Sequence, residues 1–177
     1  MTTAEYLATP ESVTPQELIY GHLRVADAPS VCHQRTVGSL YRALDAHVRQ
    51  RLLGEVLLSP VDVILDPARA LIVQPDLVFV SSARAGIVQE RIWGAPDLAV
   101  EVLSPTPRIG NVAERLRWFG EYGVLECWLV HESAGRVEVL TFGDGVVATR
   151  AAFTRFAPIV SRVLPALGST LGSMTDY

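Results

Sequence analysis

The sequence contains no lysine: all fifteen basic residues of the 177-residue chain are arginine. A mechanism that depends on a catalytic ammonium group is therefore excluded, and arginine-biased codon usage is the ordinary reason for such a composition. No basic block is present either, and the formal net charge is −4. This charge argues against tight nonspecific binding to nucleic acid, which depends on neutralising phosphates, although a locally basic cleft is compatible with it.

Cysteine is scarce as well, and long apolar runs are absent. Cys32 and Cys127 form neither a disulfide framework nor a CxxC metal pair. No run approaches the roughly 18–20 apolar residues that span a bilayer, and the first residues lack the basic and apolar regions of a signal peptide. We therefore expect a cytoplasmic protein. The length, with 49% hydrophobic and 19% charged residues, predicts one domain over residues 1–177.

The spacing of apolar residues predicts a mixture of helices and strands. Helix signals occupy residues 3–8, 30–51 and 111–122. Strand signals occupy residues 17–25 (a hairpin that turns at Gly21), 54–66, 71–80, 99–103, 126–130, 136–142 and 146–150. Pro75 predicts an edge position or a bulge within its strand, and the prolines of 104–107 end the central strand. This order is typical of a mixed α/β (α+β) domain whose central sheet is mostly antiparallel and flanked by helices.

Two acidic residues stand inside apolar strands. Glu101 interrupts a run of the kind that is buried on both faces of a sheet, and Asp76 lies within LIVQPDLVFV. A carboxylate in such a strand costs several kcal/mol unless it is paired, neutralised or bound to a cation. If the two strands are neighbours, both carboxylates can converge on one point. The acids then either bind a divalent cation, Mg²⁺ or Mn²⁺ for oxygen ligands, or form ordinary ion pairs with arginine.

Five segments in order resemble the Uma family of restriction-endonuclease-like proteins, which belongs to the PD-(D/E)xK nuclease superfamily. They read PQELIYGHLRV, SVCHQRTVGSLYRAL, VQPDLVFV, APDLAVEVLSPTPR and YGVLECWLV, and the likeness extends from about Glu5 to Phe142. The resemblance implies a restriction-endonuclease-like fold. It also implies Mg²⁺-dependent hydrolysis of phosphodiester bonds in nucleic acid, with DNA as partner, and homodimerisation by analogy with the superfamily.

Site residues follow from the resemblance position by position. Asp76 matches the acid of the PD motif and Glu101 that of the (D/E)xK motif, so both would bind the metal, with the Val102 carbonyl as a further ligand. Glu17 matches an early acidic position that supports metal binding. The HQ pair at the start of the long helix, His33 and Gln34, matches a family pair whose role the resemblance leaves open. For His33, a phosphate contact and an ordinary helix-start histidine are the two alternatives.

The sequence departs from the family pattern at the lysine. Leu103 stands two residues after Glu101, where the motif has lysine. Relatives commonly carry a lysine in the following helix, in a segment resembling EKLxxYxxxGV, and here that segment reads ERLRWF, with Arg115 at the matching position. Arginine can bind a phosphate but does not readily lose a proton. Two interpretations stay open: an endonuclease in which Arg115 replaces the lysine, or a catalytically degenerate module that binds or assembles. The net negative charge disfavours a third, a metal-free DNA-binding module.

Overall fold

The computed structural model describes residues 1–10, 14–103 and 111–175. Within those residues the α-helices are α1 (Thr3–Leu7), α2 (Val31–Gln50), α3 (Val112–Tyr122) and α4 (Leu171–Thr175). The strands are β1 (Gln16–Ile19), β2 (His22–Val25), β3 (Gly54–Leu58), β4 (Val63–Asp66), β5 (Leu71–Val73), β6 (Leu77–Ser81), β7 (Ile92–Trp93), β8 (Leu98–Leu103), β9 (Glu126–His131), β10 (Arg136–Gly143) and β11 (Val146–Thr154). No helix in these ranges is long and apolar enough to cross a membrane.

The strands form two sheets rather than the single central sheet that we predicted. The smaller sheet has the order β2-β1-β5-β4-β7 and the larger one β11-β10-β9-β8-β6-β3. Both are mostly antiparallel, as predicted, with parallel pairs at β4–β7 and β8–β9. The larger sheet has α2 and the C-terminal segment packed on one face, and α3 and the smaller sheet packed on the other. The predicted mixed α+β class is confirmed.

The helices begin and end where local side-chain chemistry predicts. The Ser30 hydroxyl accepts a hydrogen bond from the His33 N–H at 3.1 Å, which caps α2. The Asn111 side chain caps α3 in the same way, by accepting from Ala113 N–H at 2.9 Å. Gly123 ends α3 with a φ of +90°, a conformation that side chains disfavour. These helix predictions are confirmed.

Two long strand predictions are wrong, because both segments break and change sheet. Residues 54–66 become β3 in the larger sheet and β4 in the smaller one, and residues 71–80 become β5 in the smaller sheet and β6 in the larger one. The second break comes at Gln74 and Pro75, since proline has no N–H to donate to a strand ladder. This crossing of the chain from β5 to β6 leaves Asp76 one residue before the start of β6. The predicted strand end at 104–107 lies outside the described residues.

Candidate active site

The two predicted strand acids lie opposite each other at the edge of a cleft. β6 and β8 are antiparallel neighbours in which Leu77 pairs with Val100. Extending this register by one residue places Asp76 opposite Glu101. Their exposed fractions are only 7% and 3%. The two strands are therefore neighbours, as convergence of the acids requires. The two acids face each other where the hydrogen-bonded pairing of β6 with β8 ends, one residue after Pro75.

The backbone of Val102 completes this edge. Val102 N–H donates to Asp76 Oδ2 at 2.7 Å. The N–H and C=O of a strand residue point to the same side of the strand, so the Val102 carbonyl is directed toward the same side as Asp76. The residue opposite Val102 in the extended register is Pro75, which has no N–H to offer that carbonyl. A backbone oxygen therefore joins the two carboxylates as a third potential ligand.

His33 is a residue to which the sequence assigned no role. It lies in the first turn of α2, and its Nε2 is 3.0 Å from Asp76 Oδ1. The hydrogen bond to Asp76 raises the pKa of His33, against the opposing effect of burial. The long helix thus supplies a side chain that orients the Asp76 carboxylate. Its neighbour Gln34 also lines the cleft.

Arg115 contacts two of the predicted acids at once. Its Nε donates to Glu101 Oε1 at 2.5 Å, and its Nη1 donates to both Glu17 oxygens at 2.8 and 3.0 Å. Glu17 Oε1 also accepts from the Gln74 N–H at 2.7 Å. Glu17 is therefore occupied by Arg115 and by the backbone of the β5–β6 crossing. Its position in the structure is that of a group that holds Arg115, which the sequence did not indicate.

The electrostatics of the site are dominated by burial. Desolvation outweighs the favourable charge of Arg115 and, together with the Asp76 charge, raises the pKa of Glu101 to about 8. Burial alone would lower the pKa of Arg115, but the charges of Glu101 and Glu17 outweigh burial and raise it. Arg115 is thus a permanent cation held between two acidic groups, Glu101 and Glu17.

These groups line one cleft of about 490 Å³. The lining includes β2 with residues 26–30, the first turns of α2 and the first turns of α3. The ionisable residues among those that line the cleft are Glu17, Arg24, Asp27, His33, Asp76, Glu101 and Arg115. A cleft of this size accommodates a nucleotide-sized or drug-sized group.

The donor set suits a magnesium or manganese ion. Mg²⁺ takes oxygen ligands and is usually held by one or two carboxylates, with waters and substrate phosphates in the other positions. Asp76, Glu101 and the Val102 carbonyl offer that combination. Residues 1–10, 14–103 and 111–175 contain no group of three or more His, Cys, Asp and Glu side chains placed to hold a metal. The oxygen donors of Asp76, Glu101 and Val102 would hold such an ion only with further ligands from water and substrate.

Comparison with known proteins places this chain among proteins described as nucleases. The family model Uma2, described as "Putative restriction endonuclease", matches residues 3–172. A crystal structure of a "putative nuclease belonging to DUF820" from Anabaena variabilis ATCC 29413 matches with a TM-score of 0.81 at 18% sequence identity, over 99% of this chain and 97% of that one. That likeness shows a shared fold. No curated protein matches the chain.

Proposed function

The chain belongs to the Uma2 family, and we propose that it is a divalent-metal-dependent endonuclease that hydrolyses phosphodiester bonds of DNA. The observation that carries the proposal is the placement of Asp76 opposite Glu101 on the cleft wall, beside the Val102 carbonyl. Buried carboxylates that converge in a cleft are typical of metal-dependent phosphoryl chemistry. Mg²⁺ is the proposed ion, and Mn²⁺ is its substitute.

Each residue has a distinct task in this proposal. Asp76 and Glu101 hold the ion, which when bound would activate water and neutralise charge on the phosphate. His33 and the Val102 N–H fix the two Asp76 oxygens. Arg115 supplies fixed positive charge near the reacting phosphate, and because it does not readily lose its proton, it serves as an electrostatic group and not as a base.

Metal binding tests this assignment directly. We expect saturable Mn²⁺ binding in titration calorimetry, with the affinity rising as pH increases from about 6 to about 8. The reason is that the pKa of Glu101 is raised to about 8 by burial, so protons compete with the ion for this carboxylate, and metal binding to protonated ligands releases protons. Each displaced proton changes the affinity up to about tenfold per pH unit.

The control for this titration is Asp76→Ala, which removes a proposed ligand. Loss of binding in the variant, together with an apparent enthalpy that varies with the ionisation enthalpy of the buffer, supports the site. Equal binding by both proteins, or an affinity that does not change across this pH range, would contradict it.

A second candidate function is a catalytically silent binding or assembly module on the same fold. The observation that favours it is that Arg115 already neutralises Glu101 and Glu17 from inside the protein. The same titration separates the two candidates, because a silent module whose acids are neutralised internally binds no Mn²⁺ at either pH.

We further propose that the protein is a homodimer in which a second copy pairs along β11. This nine-residue strand is the edge of the larger sheet, and eight of its residues are exposed. Its one charged residue, Arg150, is paired with Glu138. A long edge with little charge offers unpaired backbone groups to another chain.

Light scattering is expected to give about twice the 19.3 kDa chain mass. Ala151→Lys on β11 places a charge on the edge and is expected to shift the mass to that of the monomer. Ala46→Lys, on the exposed surface of α2, serves as the matched control and leaves the dimer intact. A monomeric wild type at every concentration would rule out this assembly.

A further inference from the structure

The cleft carries a second arginine that the proposed catalytic groups do not use. Arg24 lies on β2, the edge strand of the smaller sheet, and is paired in register with Glu17 on β1. Directly opposed residues of an antiparallel pair project from the same face. Because Glu17 reaches into the site to hold Arg115, its strand partner Arg24 is directed to the same side, and it does line the cleft.

Among the described residues that line the cleft, the permanent cations are Arg24 and Arg115. They differ in how they are engaged. Arg115 is buried and bound to two carboxylates. The Arg24 side chain is 46% exposed, and its ion pair is a long one, with 3.6 Å between Nη1 and Glu114 Oε2 in the first turn of α3. A pair of this kind contributes little, so it exchanges readily for a better partner.

Because the cleft is lined by acidic groups, a polyanionic ligand needs a guanidinium group that can bind its phosphates. Four carboxyl groups line it, from Glu17, Asp27, Asp76 and Glu101, so acidic groups outnumber the arginines that a polyanion meets when it approaches. Phosphates are bound by guanidinium groups through paired, charge-assisted hydrogen bonds. Since Arg115 is committed to its carboxylates, Arg24 is the one of these two arginines that can reorient toward a ligand.

We propose that Arg24 binds a backbone phosphate of the polynucleotide beside the reacting one, and that Glu114 holds Arg24 across the mouth of the cleft until the substrate arrives. This inference rests on the proposed nuclease function. Arg24 is a substrate-binding residue in this scheme. Glu114 is a positioning residue that competes with the phosphate for the guanidinium, so the two residues have opposite effects on affinity.

The test is binding of a fluorescein-labelled DNA oligonucleotide, measured by anisotropy at several salt concentrations with Ca²⁺ in place of the catalytic ion. Arg24→Gln is expected to weaken binding about tenfold and to lower the slope of log affinity against log salt by about 0.7–0.9, the loss of one phosphate contact. Glu114→Gln is expected to tighten binding about two- to fivefold, because the competing carboxylate is gone.

Arg117→Gln is the matched control, since Arg117 is an exposed arginine on α3, the helix that carries Glu114, and does not line the cleft. It is expected to bind DNA as the wild type does. Calorimetric Mn²⁺ binding that stays unchanged in Arg24→Gln shows that the carboxylate site is intact. If the wild type binds DNA and Arg24→Gln keeps its affinity and salt slope, the role of Arg24 is overturned. If the wild type binds no DNA, the proposed function fails, and this inference fails with it.

Discussion

Asp76→Asn is expected to reduce metal-dependent DNA cleavage by more than about 100-fold. Loss of a group that merely supports a metal ligand costs about 10- to 100-fold, and removal of the ligand itself costs more. Asparagine keeps the size of the side chain and an oxygen that can accept from the Val102 N–H, which donates to Asp76 Oδ2 at 2.7 Å. The change therefore removes charge and metal affinity while it leaves the strand edge in place.

Glu101→Gln is expected to give a loss of similar size, and the double variant no further loss, because ligands of one ion act as a unit. The measurement is single-turnover cleavage of labelled DNA with Mg²⁺ and with Mn²⁺. Asp45→Asn is the matched control, since its carboxylate pairs with Arg49 on α2 and does not line the cleft. Cleavage that persists in the double variant would exclude Asp76 and Glu101 from the reaction.

Arg115→Ala is expected to lower the free energy of unfolding by about 3–5 kcal/mol. Removal of one partner of a buried ion pair leaves the other charge without compensation, and here two carboxylates, those of Glu101 and Glu17, lose their cation. Denaturant unfolding followed by circular dichroism measures the change. Arg117→Ala, an exposed arginine on the same helix, is the control and is expected to cost less than about 0.5 kcal/mol.

The pH dependence of this loss identifies its cause. The folded-state pKa of Glu101 is about 8, above the ordinary value of 4.5. The folded protein therefore binds more protons than the unfolded chain between these values, and its stability falls as pH rises through that window. Without Arg115, which favours the carboxylate, the Glu101 pKa rises further. The destabilisation by Arg115→Ala is thus expected to be larger at about pH 9 than at about pH 6. An equal loss at both values would mean that packing and not charge is responsible.

Much of the site is accessible from the sequence because it depends on local signals. An acid inside an apolar strand is costly, so the sequence alone is enough to single out Asp76 and Glu101. The caps of α2 and α3 are local signals as well. Those of α3 set where the helix that carries Arg115 begins and ends. Spacing on that helix places Arg115 beside its buried stripe, and the structure brings it to Glu101.

What the sequence did not reveal depends on contacts between distant segments. Apolar alternation continues through residues 54–66 and 71–80, and the alternation is the same whether or not the chain crosses from one sheet to the other. The crossing at Pro75 therefore looked like a bulge within one strand. Arg115 binds Glu17, which is 98 positions away, and His33 binds Asp76, which is 43 positions away. No local sequence pattern predicts contacts between such distant residues.

The amino-acid sequence by itself determined the class of fold, the helix boundaries and the identity of the two buried acids, because periodicity, capping and the cost of desolvation act within a few residues. Only the tertiary structure decided which groups meet. The β6–β8 register places Asp76 opposite Glu101, Glu17 forms an ion pair with Arg115, and Arg24 lines the cleft. The physical reason is that a carboxylate or guanidinium has several possible partners along the chain, and strand register and helix packing select among them.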